Sequence, residues 1–144
     1  MKKHTLHIRI PPNWFEVPNK IPRSYRRRSN GSGWVQISLY PPETELNGDG
    51  EKIRTKLNNL LKSLDMDFGK EITGMHLPCA SGTMATSMYQ SPKQGLLQFW
   101  LIPSDALIFV SYTMGDILTV KEEVAEAHKF IAELKFETNE VFDI

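Results

Sequence analysis

Leu96-Leu97-Gln98-Phe99-Trp100-Leu101-Ile102 is followed, across Pro103-Ser104-Asp105, by Ala106-Leu107-Ile108-Phe109-Val110-Ser111-Tyr112-Thr113-Met114. Both runs are rich in β-branched and aromatic residues, which suit the pleated surface of a strand. Neither alternates cleanly between apolar and polar residues, so each strand must be covered on both faces. The short turn joins them as an antiparallel hairpin. Phe99, Trp100, Phe109 and Tyr112 are thereby committed to packing, and buried Trp100 and Tyr112 need polar partners.

Two amphipathic helices are available to cover that hairpin. Asn47-Gly48-Asp49-Gly50 is a turn that offers Asn47 or Asp49 as an N-cap. From there Ile53, Leu57, Leu60, Leu61 and Leu64 recur on one face of a 3.6-residue period. Each such side chain contributes about 1.5–3 kcal/mol when fully buried, which makes this helix a core element. A second helix opens with Thr119-Val120-Lys121-Glu122, which has the form of a capping box. Val120, Val124, Ala127, Ile131 and Leu134 form its apolar face, with Glu122, Glu123, Glu126, Lys129 and Glu133 assigned largely to the solvent face.

Further strands are expected around these elements. Leu6, Ile8 and Ile10 alternate with His7 and Arg9 until Pro11-Pro12. Val35, Ile37 and Leu39 alternate with Gln36 and Ser38 in a strand from Trp34 to Tyr40. Ile72–Leu77 and Thr83–Tyr89 read as two more, separated by Pro78-Cys79-Ala80-Ser81-Gly82. Residues 18–33, rich in proline, arginine, serine and glycine, read as a long loop, and 137–144 as a C-terminal tail. The expected class is α+β: a single domain over 1–144, built as a three-layer α/β/α sandwich with a mostly antiparallel sheet of about six strands and two main helices.

Composition narrows the function classes. Seventeen Lys and Arg balance seventeen Asp and Glu, which argues against a dedicated nucleic-acid binder. One cysteine, Cys79, cannot form an intramolecular disulfide. Lys2-Lys3 is not followed by an apolar signal region, and no run approaches the roughly 20 apolar residues of a membrane span. A cytoplasmic protein without membrane contact is the expectation.

The order of elements resembles the PsbP-like fold, shared by PsbP proteins, the Ran-binding Mog proteins and the bacterial DcrB and Eag-type families. Pro12-Asn13-Trp14 looks like the early proline-x-tryptophan element of bacterial members. Leu107-Ile108-Phe109-Val110-Ser111-Tyr112, Lys121-Glu122-Glu123-Val124 and Leu134-Lys135-Phe136 look like their ending. The proline- and arginine-rich stretch at 18–28 departs from that pattern. The resemblance implies a fold used mostly for protein contacts.

Candidate sites follow from the residues left over. Lys20-Ile21-Pro22-Arg23-Ser24-Tyr25-Arg26-Arg27-Arg28 is a basic stretch whose guanidinium groups suit an acidic protein surface or phosphates. A charge run of this kind is also, simply, a solvated one. With Trp14 and Trp34, residues Arg23, Tyr25, Arg26, Arg27 and Arg28 make the expected partner-binding set, since Arg and aromatics are the usual interface anchors. Cys79 has only His76 nearby in sequence and reads as a packed thiol. His4 and His7, three apart on a strand, face opposite ways, and His128 lies beside the second helix's apolar stripe. Asp65 and Asp67 read as turn residues, and Met84 and Met88 as core. No catalytic set, metal site or cofactor is expected. The expected function is a non-catalytic protein-binding module: an adaptor, an effector chaperone or an immunity-type inhibitor. The alternative is an anion- or nucleic-acid-binding domain using 20–28.

Overall fold

The computed structural model describes residues 1–64, 66–92, 95–114 and 121–141. The elements among them are β1 (Lys2–His7), β2 (Trp14–Glu16), β3 (Arg23–Arg27), β4 (Trp34–Tyr40), α1 (Gly50–Ser63), β5 (Lys70–Cys79), β6 (Gly82–Ser91), β7 (Gly95–Pro103), β8 (Leu107–Thr113), α2 (Lys121–Ala132) and β9 (Lys135–Glu140). A 3-10 turn, Thr44–Leu46, precedes α1. Seven strands form one antiparallel sheet in the order β2-β3-β4-β8-β7-β6-β5, and β1 pairs with β9 in a separate two-stranded sheet.

Among the described residues the molecule is mostly β, with 48% of them in strands and 22% in helices. The expected three-layer α/β/α sandwich with about six strands is therefore corrected to a seven-stranded sheet, a two-stranded sheet and two helices. Two misread segments account for the difference. Arg23–Arg27, inside the supposed loop at 18–33, is β3, and it brings β2 onto the edge of the sheet. The supposed tail supplies β9, which draws the first strand out of the main sheet: Leu6 stands opposite Phe136 and Lys2 opposite Glu140. Residues 142–144 lie outside the described residues.

The 96–114 hairpin sits as its composition requires. Ile102 pairs with Ile108 across it. On one face Leu97, Phe99, Leu101, Leu107 and Phe109 join Ile53, Leu57 and Leu61 of α1 and Phe68. On the other, Trp100, Ile102, Ile108, Val110 and Tyr112 join Ala127, Phe130 and Ile131 of α2, and Leu134. Asp49 caps α1, its Oδ1 accepting from Lys52 N at 3.2 Å. The apolar stripe of that helix stops one turn early, since Leu64 is exposed. In α2, Phe130 is buried, an anchor that the stripe read from sequence leaves out. The proposed capping box falls on Thr119 and Val120, outside the described residues. Met84 is in the core and Met88 packs against it, as expected.

Glu123 is the main correction on α2. Assigned by pattern to the solvent face, it is completely buried. Its Oε1 accepts from Ser32 N and Gly33 N, each at 3.1 Å, and its Oε2 from the Tyr112 hydroxyl at 2.7 Å. Three donors satisfy the carboxylate, which is the condition for burying one.

Candidate binding face

Strand alternation divides the basic stretch between two environments. Tyr25 lies opposite Val35, on the face that α2 covers. Arg23 and Arg27, two residues away on either side, share that face, whereas Arg26 and Arg28 point to the opposite one.

The α2-side residues are engaged inside the protein. Arg27 keeps only 8% of its side chain exposed. Its Nε lies 3.0 Å from Glu126 Oε1 outside hydrogen-bond geometry, so the contact is an ion pair. Its Nη1 donates to the Asn30 carbonyl at 2.8 Å. Trp14 is buried and donates from Nε1 to the same Glu126 oxygen at 3.1 Å. Tyr25 is wholly buried, edge-on to Phe130, and its hydroxyl donates to Glu16 Oε1 at 2.7 Å. Arg23 joins Glu16 at 2.9 Å on the rim. Burial, followed by the bond to Glu16, raises the Tyr25 phenol, while the bonds from Tyr25 and then Arg23 lower the Glu16 carboxyl.

The outward residues meet a different surface. Helix α1 packs on β5, β6 and β7, and beside it the same sheet face lies open over β4 and β8. The β4 register places Trp34 opposite Thr113, Gln36 opposite Ser111 and Ser38 opposite Phe109. These side chains form the floor of a groove of about 410 Å³. Pro22 borders one side, and Leu64, Met66 and Phe68, from the connection between α1 and β5, border the other. Trp34 and Tyr40 remain 37% and 38% exposed, and Leu64 and Met66 more so. At the Trp34 end the Arg26 guanidinium carbon lies 5.9 Å from the indole centroid, and that of Arg28 lies 5.1 Å from the Phe15 ring. Neither arginine has a carboxylate partner among the described residues.

Of the seven residues expected to bind a partner, Arg26, Arg28 and Trp34 thus lie together on the open face. Arg23 is on the opposite, α2 side, exposed and paired with Glu16, and Trp14, Tyr25 and Arg27 serve the interior. Gln36, Ser38, Tyr40, Phe109 and Ser111 complete the face and were not in the expected set. Their signal was in the sequence: Trp34 and Tyr40 share parity with polar Gln36 and Ser38, so aromatics stand on the strand face assigned to solvent.

The other candidates are placed plainly. Burial raises the Cys79 thiol, which keeps it protonated and a poor nucleophile. His76 is exposed, 3.7 Å from Glu51. His4 bonds to Thr138 and His7 to Glu137, on opposite faces of β1. Asp67 has the turn role expected of it, accepting from Gly69 N at 2.9 Å; Asp65 lies outside the described residues. Among the described residues no helix is long and apolar enough to cross a membrane.

No protein-family model matches the chain, and no curated protein matches it.

Proposed function

We propose that this chain is a cytoplasmic, non-catalytic protein-binding module, an adaptor, effector chaperone or immunity-type inhibitor, that engages its partner through the open face over β4 and β8. The observation that carries this reading is the gathering of Trp34, Tyr40, Leu64 and Met66, all exposed, around one groove. Contiguous exposed apolar surface bordered by polar groups is how interaction sites differ from ordinary protein surface. Tryptophan, tyrosine and arginine are also the residues that most often dominate binding energy. The likeness of Pro12-Asn13-Trp14 and of the 107–136 ending to PsbP-like proteins supports the same use by analogy alone.

The test is affinity capture from the native host at near-native expression, with the wild-type chain and a Trp34→Ala/Tyr40→Ala variant. The variant's thermal unfolding is checked first. A partner held by the wild type and lost by the variant is the expected result. Recovery of no partner, or equal recovery by both chains, sinks the reading.

A second reading draws on Arg26 and Arg28, which have no carboxylate partner among the described residues and lie beside aromatic rings. Such a surface also suits single-stranded nucleic acid. Binding that falls steeply with salt, with a slope reduced by Arg26→Ala, would favour it.

A further inference from the structure

We infer that the occupant of the β4–β8 groove is an extended acidic segment of the partner protein, with carboxylates at the Trp34 end and an apolar residue at the Tyr40 end. This inference rests on the protein-binding reading and names the partner's chemistry.

Charge complementarity sets the first half. At the Trp34 end Arg26 lies over the indole and Arg28 over Phe15, the residue paired with Arg26, and no carboxylate lines the groove among the described residues. Each guanidinium rests against a ring, and neither makes a hydrogen bond or ion pair among the described residues. A guanidinium held in this way is pre-ordered, and its planar fork of donors matches a carboxylate in two-point contact. The second half comes from the far end, where exposed Tyr40 lies edge-on to Phe109, whereas Phe68 belongs to the Trp34 half, packed on Phe99 and Tyr89.

Between the two ends the floor is polar and uncharged. The Ser38 and Ser111 hydroxyls make no hydrogen bond among the described residues, and Gln36 is committed only through its Nε2, to Ser24 Oγ at 3.3 Å. A row of uncommitted donors and acceptors along two strands suits the amides and carbonyls of an extended backbone. Nucleic acid fits less well. The guanidiniums already lie over the indole and Phe15 rings, where bases would stack, and two arginines neutralise few phosphates.

The test uses the full chain as bait for a phage-displayed library of random peptides of about eight residues, which at ~3.3 Å per residue matches the length of β4. The most enriched peptide is then labelled and titrated by anisotropy, beside an oligothymidylate strand, against the wild type, Arg26→Gln/Arg28→Gln and Tyr40→Ala. Enrichment of sequences with Asp or Glu at one end and an apolar residue at the other is expected. Each variant should weaken binding by about tenfold or more, the arginine variant with a smaller salt dependence. Enrichment of peptides without acidic residues overturns the inference, as does binding untouched by either variant, or oligothymidylate bound more tightly than peptide. Failure to enrich any peptide overturns it too. If capture from the host still recovers a partner that depends on Trp34 and Tyr40, the module reading survives that failure; if capture recovers none, both fall.

Discussion

The Tyr112 hydroxyl donates to Glu123 Oε2 at 2.7 Å in a site from which water is excluded. Through this carboxylate the first turn of α2 is tied to β8 and, through Ser32 N and Gly33 N, to the segment that enters β4. Glu123→Gln keeps the shape but replaces one acceptor oxygen with a donor facing donors. A loss of ~2–4 kcal/mol is expected from urea unfolding, with Tyr112→Phe costing less because it removes one bond and leaves two. Gly33→Ala should destabilise by a different route, since a Cβ there would collide with the Thr113 carbonyl oxygen. Equal stability of Glu123→Gln and wild type would show that the carboxylate does not hold these elements together.

Neighbouring arginines should behave in opposite ways. Arg27 is buried against Glu126 and bonded to the Asn30 carbonyl, whereas Arg28 lies on the open face over Phe15. Arg27→Ala is expected to cost about 1.5–3 kcal/mol, from lost charge-assisted contacts and lost packing of the stem. Arg28→Ala should cost about 1 kcal/mol or less, the scale of an exposed cation–π contact. Denaturant midpoints of the two variants measure the difference directly. Similar losses would mean that strand alternation does not divide the basic stretch.

The parts of the fold legible in the sequence were those where apolar content is dense. The hairpin needed burial on both faces, the α1 stripe repeated at helical spacing, and Asp49 stood where a cap belongs. The basic stretch failed for a physical reason: alternation identifies a strand only when one set of residues is apolar, and here Arg23, Tyr25 and Arg27 alternate with Ser24, Arg26 and Arg28. Arg27 becomes an interior residue only because Glu126, far away in sequence, meets it. Glu123 is hidden likewise, since helical periodicity treats glutamate as solvent-facing and carries no sign of the two amides and one phenol that accept it into the core. The pairing of β1 with β9 joins opposite ends of the chain, and no local signal marks it.

His128 should make stability sensitive to mild acid. Burial lowers its pKa below the ordinary 6.5, and its Nε2 faces Gln98 Oε1 at 2.9 Å, next to the Trp100 ring. A neutral imidazole with its proton on Nε2 donates to that oxygen, and the Gln98 amide donates onward to Thr86 Oγ1 at 2.9 Å. The unfolded chain takes up a proton near 6.5 that the folded chain resists. Stability is therefore complete above that value and declines as pH falls from it toward the depressed folded value. Glu16, whose carboxyl is lowered below 4.5, adds a second loss in the same direction at more acidic pH. Urea midpoints measured from pH 8 down to about 5 should fall for the wild type and stay flatter for His128→Gln. A wild-type midpoint constant over that range would contradict the placement of His128.

At the alkaline end the two buried tyrosines should set the limit. Burial, and then the bond to Glu123, raises the Tyr112 phenol; burial, and then the bond to Glu16, raises that of Tyr25. Both hydroxyls donate to carboxylate oxygens, so ionising either would set two negative charges against each other and leave an acceptor without its donor. An unfolded tyrosine ionises near 10. With both folded values above that, their contribution to stability is intact below pH 10 and is lost as pH rises from there toward the folded values. Phenolate from Tyr25 and Tyr112 should therefore appear cooperatively, coinciding with loss of near-ultraviolet circular dichroism. Tyr112→Phe should shrink that cooperative rise, one of the two phenols being gone. Phenolate from Tyr25 or Tyr112 appearing while the near-ultraviolet spectrum is still native would show that these hydroxyls are not sealed in the core.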